Sequence, residues 1–190
     1  MGFLAGVMIA LGCIVYLKVG GVAGAVLFSV GLMTVIAFDM KLFTGKVGLL
    51  ASREIKYYNI IIILIENLVG VMLVAIAVLF TPLFSAITAP AAAIMATRLG
   101  NSFVANIIYG IFCGLFMYIA VTGYKRTGSW LFAIFPVAVF ILSGFNHCIA
   151  DCFYWLMSGV GPEGGIPLLA TIIGNSVGGN IIPIVKRLEK

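Results

Sequence analysis

A single histidine, His147, lies inside an apolar run and is the residue of this chain best suited to proton chemistry. Gly144 precedes it, at a position where a helix can open. Histidine titrates near neutral pH, so it can give a proton or a hydrogen bond to the anion of a weak acid. A neutral acid crosses an apolar constriction at far lower cost than a carboxylate. The sequence thus predicts that an anion is protonated by way of His147; the alternative is a structural histidine bonded to a backbone carbonyl.

The histidine belongs to one of two similar interruptions of apolar segments. Residues 38–45 (FDMKLFTG) break one run, and residues 145–151 (FNHCIAD) break another, 107 positions later. Each break precedes a helix with the pattern Asn-x-x-Gly, at Asn67 and at Asn175, which are 108 positions apart. Corresponding broken helices in two halves of a membrane protein mark a substrate site near the bilayer midplane. The pattern predicts a transport protein.

Composition places these breaks in a lipid bilayer. Of the 190 residues 63% are hydrophobic and 9% are charged, and the mean hydropathy is +1.25, whereas soluble domains carry about 25% charged residues. An enzyme with an extramembrane active site is therefore not expected. The net charge of +5 comes from Lys and Arg in short loops, so nucleic acid is not an expected partner. The cysteines lack zinc-like spacing, and no metal or other cofactor is expected.

The apolar segments predict an all-α integral membrane domain over residues 1–190. A first repeat (about 1–81) and a second (about 101–186) form a 3+3 inverted repeat, joined by a loop at 82–100 that contains Pro82 and Pro90. Because a spanning helix needs about 20 apolar residues, we expect six spans, the second and fifth of them broken. They are 3–17, 20–50 with a break at 38–44, 59–81, 102–123, 130–157 with a break at 144–151, and 166–185.

Charge placement predicts the orientation of these spans. With a cytoplasmic N-terminus, the outer side holds Lys18 and Arg98. Cytoplasmic loops carry an excess of Lys and Arg, so we expect both termini to be cytoplasmic. The inner side then holds Lys46, Arg53, Lys56, Lys125, Arg126, Lys186, Arg187 and Lys190.

The sequence around the breaks resembles the formate/nitrite transporter family. The similarity runs through Gly24–Gly45, Asn67–Gly70, Pro136–Phe153 and Gly174–Gly179, and covers all the expected spans in order. The resemblance implies an aquaporin-like homopentamer in the cytoplasmic membrane, with a separate pore in each protomer. It also implies small monovalent anions as substrates, such as formate, nitrite or hydrosulfide, often moved together with a proton.

The resemblance also implies a pore lining, position by position. Leu42 and Thr44 match an intramembrane loop, and His147 matches the histidine of the pore. The apolar constriction and the asparagine of the last helix are matched by Phe28, Leu32, Phe140 and Asn175. From the residues themselves, Thr44 offers either a pore hydroxyl or a helix cap.

Charged and amide side chains near the breaks have open roles. Lys41 and Glu66 lie in apolar surroundings, where an unpaired charge is expensive. The simplest solution is an ion pair between them; alternatively, Lys41 attracts anions into the pore, and Asp39 is a rival partner for Lys41. Asp151 bonds backbone amides at its own break or carries protons alongside His147.

The two asparagines have a simpler interpretation. Backbone groups that lose their helical partners at a break must be satisfied within the protein. We expect Asn67 and Asn175 to clamp the two breaks through hydrogen bonds to such groups.

Two other functions compete with a channel or proton-coupled transporter for small anions. One is a channel for a neutral solute such as urea, ammonia, water or glycerol, although the chain lacks Asn-Pro-Ala pairs. The other is an intramembrane enzyme that pairs His147 with Cys148 or Asp151, although adjacent residues rarely face each other as nucleophile and base. We favour the anion pathway.

Overall fold

A computed structural model describes residues 1–189, which form α-helices joined by short turns. Lys190, counted above among the inner charges, lies outside the described residues. Short 3-10 turns occupy Val47–Leu49 and Pro162–Gly164. The helices are α1 (Gly2–Val19), α2 (Gly21–Ala37), α3 (Phe43–Lys46), α4 (Tyr57–Leu79), α5 (Leu83–Gly100), α6 (Phe103–Thr127), α7 (Leu131–Leu142), α8 (Cys148–Ser158) and α9 (Gly165–Leu188).

The lengths and composition of these helices make the chain a multi-pass membrane protein. Helices α1, α4, α5 and α6 and the helical segment Pro162–Leu188 are long and apolar enough to cross a bilayer. Helices α2, α7 and α8 are shorter and equally apolar. These short helices flank the two breaks, as the sequence predicts; the exact number of crossings stays a prediction.

One connection differs from the prediction. Residues 82–100 were expected to form a loop, but Leu83–Gly100 is the helix α5, which packs mainly against α8. Alanine, the strongest helix former, recurs through this segment. Pro82 directly precedes the first helical residue, where proline is well tolerated. Pro90 lies inside the helix and removes a single backbone hydrogen bond, which this Ala-rich segment accommodates.

The two halves are built alike, because glycines let equivalent helix pairs approach closely. Helix α1 packs on α4, and α6 packs on α9. Gly6 lies against the Asn67 carbonyl, and Gly114, 108 positions later, lies against the Asn175 carbonyl. Small residues at such positions permit backbone-to-backbone contact between membrane helices. The close contacts bring each asparagine next to the break of its own half.

Gly178 provides a test of this packing. A Cβ atom at Gly178 would overlap the Ile111 backbone, so we expect Gly178→Ala to destabilise the fold by about 1–3 kcal/mol through overpacking. The measurement is the melting temperature of the purified protein in detergent. Gly100→Ala is the matched control, because no heavy atom lies within 4 Å of the added Cβ atom there. Equal melting temperatures for the two variants would contradict the prediction.

Candidate functional site

The two breaks meet at a hydrogen bond between Thr44 and His147. Leu42 occupies the N-cap position of α3, and His147 occupies the N-cap position of α8. The Thr44 Oγ1 and His147 Nε2 atoms are 3.0 Å apart. Both side chains are 1% exposed. Two residues that the sequence singled out, 103 positions apart, are thus brought together inside the protein.

The hydrogen bonds of His147 define its tautomer. The backbone N–H of Ala150 donates to His147 Nδ1 at 3.3 Å, which caps the first turn of α8. In a neutral imidazole one ring nitrogen accepts and the other donates, so Nε2–H donates to Thr44 Oγ1. The hydroxyl proton of Thr44 has no other acceptor within residues 1–189, and it can be offered to a molecule in the pore.

Asn67 clamps the first break. Its Oδ1 accepts from Phe43 N at 2.8 Å, and its Nδ2 donates to the carbonyls of Lys41 and Gly2, each at 2.8 Å. The amide therefore satisfies one backbone donor and one backbone acceptor that the break frees, and ties them to α1. These hydrogen bonds are of the kind the sequence predicted.

Asn175 clamps the second break in the same way. Its Oδ1 accepts from Cys148 N at 2.9 Å, and its Nδ2 donates to the carbonyls of Asn146 and Gly110, each at 2.8 Å. The amide is 0% exposed, so water does not replace these bonds. Its side chain acts on the backbone of the break; a role in lining the pore stays a prediction.

The clamps correct the register of the repeat. Phe43 and Cys148, the residues whose N–H groups the asparagines accept from, are 105 positions apart rather than 107. Leu42 is therefore the counterpart of His147 in the repeat. The sequence alignment of residues 38–45 with 145–151 used a spacing of 107, so it was displaced by two residues from the structural repeat.

Apolar side chains surround this junction, at the positions where the sequence predicts a constriction. The rings of Phe28 and Phe140 meet edge to face with centroids 6.3 Å apart. Phe140 stacks on the His147 ring at 5.6 Å. Leu32 and Leu42 are buried, with 0% and 1% exposure. An ion at this point would lose its water without gaining a charged partner, so the ring favours neutral molecules.

A cavity of about 240 Å³ reaches the constriction from the second break, and we call it the Arg98 cavity. His147 and Phe140 form part of its wall, together with Arg98, Asp151, Tyr16, Tyr109 and Tyr154. A smaller cavity, of about 20 Å³, reaches the first break and is lined by residues that include Leu42, Asp39, Lys46 and Lys125. Basic side chains thus line both approaches to the junction.

Arg98 is the residue that sequence reasoning placed wrongly. It was expected in an outer loop, but it lies near the end of α5 and is 7% exposed. Its Nε lies 3.4 Å from Asp151 Oδ1, and its Nη1 donates to the Gly144 carbonyl at 2.9 Å. Of the two roles expected for Asp151, bonding to amides of its own break is not observed, because its side-chain partners are Arg98 and Thr171. A role in carrying protons stays a prediction. The sequence did contain a signal for the position of Arg98, because this residue follows an Ala-rich segment that favours a helix.

Side chains from several elements join this pair in a buried polar ring. Thr171 Oγ1 lies 3.2 Å from Asp151 Oδ2, and Asn146 Nδ2 donates to Thr171 Oγ1 at 3.3 Å. Asn146 Nδ2 also donates to Asn106 Oδ1 at 2.9 Å, and Asn106 Nδ2 donates to the Arg98 carbonyl at 2.8 Å. The ring connects α5, α6, α8, α9 and the second break. Among the described residues, Asn146 Oδ1 is the buried side-chain atom of this ring that has no hydrogen-bond partner.

The predicted ion pair between Lys41 and Glu66 does not form. Glu66 Oε2 accepts from the backbone N–H of Gly2 at 3.0 Å, and Asp39 pairs with Lys46 at 3.6 Å. Lys41 is exposed on this single chain. Because Asn67 fixes the Lys41 carbonyl, the break holds this residue with its side chain at the protein surface.

Comparison with known proteins agrees with this architecture. The family model for the formate/nitrite transporter matches residues 1–186. The formate channel FocA of Haemophilus influenzae is 26% identical over 145 residues, which are 68% of this chain and 51% of that protein. The chain therefore spans about half the length of this curated relative.

Two solved structures share the fold. An FNT family ion channel superposes with a TM-score of 0.84 at 20% identity, over 99% of this chain and 87% of the other. A pentameric formate channel with formate bound superposes with a TM-score of 0.80 at 23% identity, over 99% and 93% of the two chains. With the family match over nearly the whole sequence and this shared architecture, the chain belongs to the formate/nitrite transporter family.

Proposed function

We propose that this protein conducts small monovalent anions of weak acids across the cytoplasmic membrane, together with a proton. The observation that carries the proposal is the buried Thr44–His147 contact, which lies beside an apolar constriction and between two cavities lined by basic residues. Basic side chains attract an anion into a cavity. The apolar ring then favours the protonated form, because a neutral acid loses less hydration energy than its anion.

Formate is the first substrate to test, with nitrite and hydrosulfide as further candidates. The curated relative is a formate channel, and one of the structural neighbours holds formate. The Thr44 hydroxyl accepts from the Nε2–H group of His147, so its own proton is a donor that such an acid can use at the constriction. The proton comes either through His147, as the sequence predicted, or from another acid in the Arg98 cavity.

The proposed assembly is a homopentamer with one pore in each protomer, as in the pentameric formate channel that shares the fold. Both termini face the cytoplasm in this proposal, which follows the predicted distribution of Lys and Arg. Helix α5 then lies on the outer side, and the Arg98 cavity is the outer vestibule. Crosslinking of the purified protein in detergent tests the number of protomers.

Flux into proteoliposomes tests the proposed function. The purified protein is reconstituted, and uptake of formate, nitrite, hydrosulfide, acetate and urea is compared at mildly acidic and mildly alkaline external pH. We expect anion uptake that is faster on the acidic side, because more of the acid can then cross as the neutral form. Urea uptake without anion uptake, unaffected by pH, would refute the proposal and favour the neutral-solute channel.

A further inference from the structure

We propose that Asp151 is the proton donor to the permeating anion, and that it takes up its proton when the anion displaces it from Arg98. The proposal rests on the proposed function and names the acid that serves it. Asp151 is 3% exposed and lines the Arg98 cavity next to His147.

Both ring nitrogens of His147 are engaged in hydrogen bonds. Nδ1 accepts from the Ala150 N–H group, and the Nε2–H group faces Thr44. A second proton on Nδ1 would remove the cap of α8 and place two donors face to face. His147 is therefore built to donate a hydrogen bond in the constriction, and the proton requires another carrier.

The ion pair between Arg98 and Asp151 is loosely held. A single contact joins the two side chains, Nε to Oδ1 at 3.4 Å, which is long for a charge-assisted hydrogen bond. Arginine has five N–H donors in a planar group whose geometry fits a carboxylate. In the described residues, the Arg98 side chain donates from Nε to Asp151 and from Nη1 to the Gly144 carbonyl. An entering carboxylate can offer the guanidinium a two-point contact in place of the single one.

The Thr171 hydroxyl can form a hydrogen bond with Asp151 in both protonation states of the carboxyl group. The hydroxyl lies 3.2 Å from Asp151 Oδ2 and 2.9 Å from the Pro167 carbonyl. When Asp151 is ionised, the hydroxyl donates to the carboxylate. When Asp151 is protonated, its O–H can donate to Thr171 Oγ1, and the hydroxyl proton turns to the Pro167 carbonyl. In both states Asp151 and Thr171 each keep a hydrogen-bond partner.

The other titratable groups around Asp151 are poor proton carriers. Thiols and phenols release their protons only well above neutral pH, and guanidinium does not release its proton in proteins. Within residues 1–189, α4 and α9 add no titratable group to the cavity wall. The titratable groups that line the cavity with Asp151 are Arg98 on α5, Tyr16 on α1, Tyr109 on α6, Tyr154 on α8 and His147 at the break. The buried thiols near enough to interact with its charge are Cys13, Cys113, Cys148 and Cys152.

The proposed step balances in charge and protons. The anion binds Arg98, and Asp151, now without its cation, takes a proton from a hydronium ion of the solution in the cavity, which leaves a water molecule. The Asp151 O–H bond then breaks as the O–H bond of the acid forms. The neutral acid leaves past Phe28 and Phe140, and the Asp151 carboxylate returns to Arg98. One proton from the side of the Arg98 cavity travels with each anion.

The test is formate-driven proton uptake into proteoliposomes that contain a trapped pH dye. We expect Asp151→Asn to reduce proton uptake at least about tenfold, since a proton-transfer group is lost, and Asp151→Glu to restore most of it. Because Asp151→Asn leaves Arg98 without a counter-charge, the double variant Arg98→Gln/Asp151→Asn serves as a neutral pair and is expected to lose proton uptake too. Wild-type proton uptake in folded Asp151→Asn would overturn the proposal.

A second measurement uses the unmodified protein. Carbodiimides modify protonated carboxyl groups in apolar surroundings, and the modified residue is identified by mass spectrometry. We expect formate to increase labelling of Asp151 severalfold over chloride at equal ionic strength. Unchanged or reduced labelling would overturn the proposal. Formate uptake by the wild-type protein without proton uptake would also overturn it, but would still be consistent with an anion channel. A wild-type protein that takes up no monocarboxylate would refute the proposed function itself.

Discussion

Replacement of His147 by leucine is expected to lower formate flux by at least about 100-fold, the usual effect of losing one preorganised donor in a water-excluded site. Leucine keeps most of the side-chain volume beside Phe140, but it cannot donate to Thr44 or accept from the Ala150 N–H group. The measurement is the initial rate of uptake into proteoliposomes at a fixed pH gradient.

His147→Gln is the matched control for that variant. The glutamine amide can donate a hydrogen bond to Thr44 but cannot carry a proton at physiological pH. If Asp151 supplies the proton, His147→Gln retains flux within several-fold of wild type and keeps its dependence on external pH. If His147→Gln loses flux and pH dependence as completely as His147→Leu, the proton passes through the histidine and the Asp151 proposal fails.

Asn175→Leu is expected to prevent folding, or to cost about 3 kcal/mol or more, because a buried polar group that loses its partner costs about 1–3 kcal/mol. The substitution leaves Cys148 N and the carbonyls of Asn146 and Gly110 without the amide that satisfies them. The measurements are the yield of monodisperse protein in detergent and its melting temperature.

Asn180→Leu is the control for this prediction. Asn180 also bonds backbone groups, of Val47, Ala51 and Ser176, but it is only half-buried, so water can replace the amide. We expect a much smaller loss of stability there. Equal losses in the two variants would show that burial of the clamp is not what makes Asn175 important.

The sequence predicted the parts of this fold that depend on local pattern. Breaks in long apolar runs are visible as residues 38–45 and 145–151, and a lone histidine in such a run is conspicuous. The amide clamps followed from the rule that backbone groups in a membrane must be satisfied within the protein. Thr44 and His147 were each predicted as site residues. Their contact could not be predicted, because it depends on how the two breaks are placed relative to each other in the folded protein.

The errors arose where a side chain depends on a neighbour that is distant in sequence. Arg98 was interpreted as a topology signal because basic residues mark loops, and its ion pair with Asp151 spans 53 positions. The pairing of Lys41 with Glu66 was inferred only from the free-energy cost of an unpaired charge in a membrane. The sequence does not show that the Lys41 side chain lies at the protein surface. Prolines weighed more than alanines in the assignment of residues 82–100, although Pro82 precedes the helix and Pro90 costs only one hydrogen bond.

The pairing of Arg98 with Asp151 restricts the order in which such a site can evolve. Loss of Arg98 alone leaves Asp151 unable to ionise at low cost, because a buried charge without its partner costs about 3–5 kcal/mol. Replacement of Asp151 by asparagine first leaves a guanidinium that still bonds the Gly144 carbonyl and opens onto the cavity. Lineages that lose the pair are therefore expected to pass through a neutral residue at position 151. An acidic residue at that position should occur only in descendants that keep a cation at position 98.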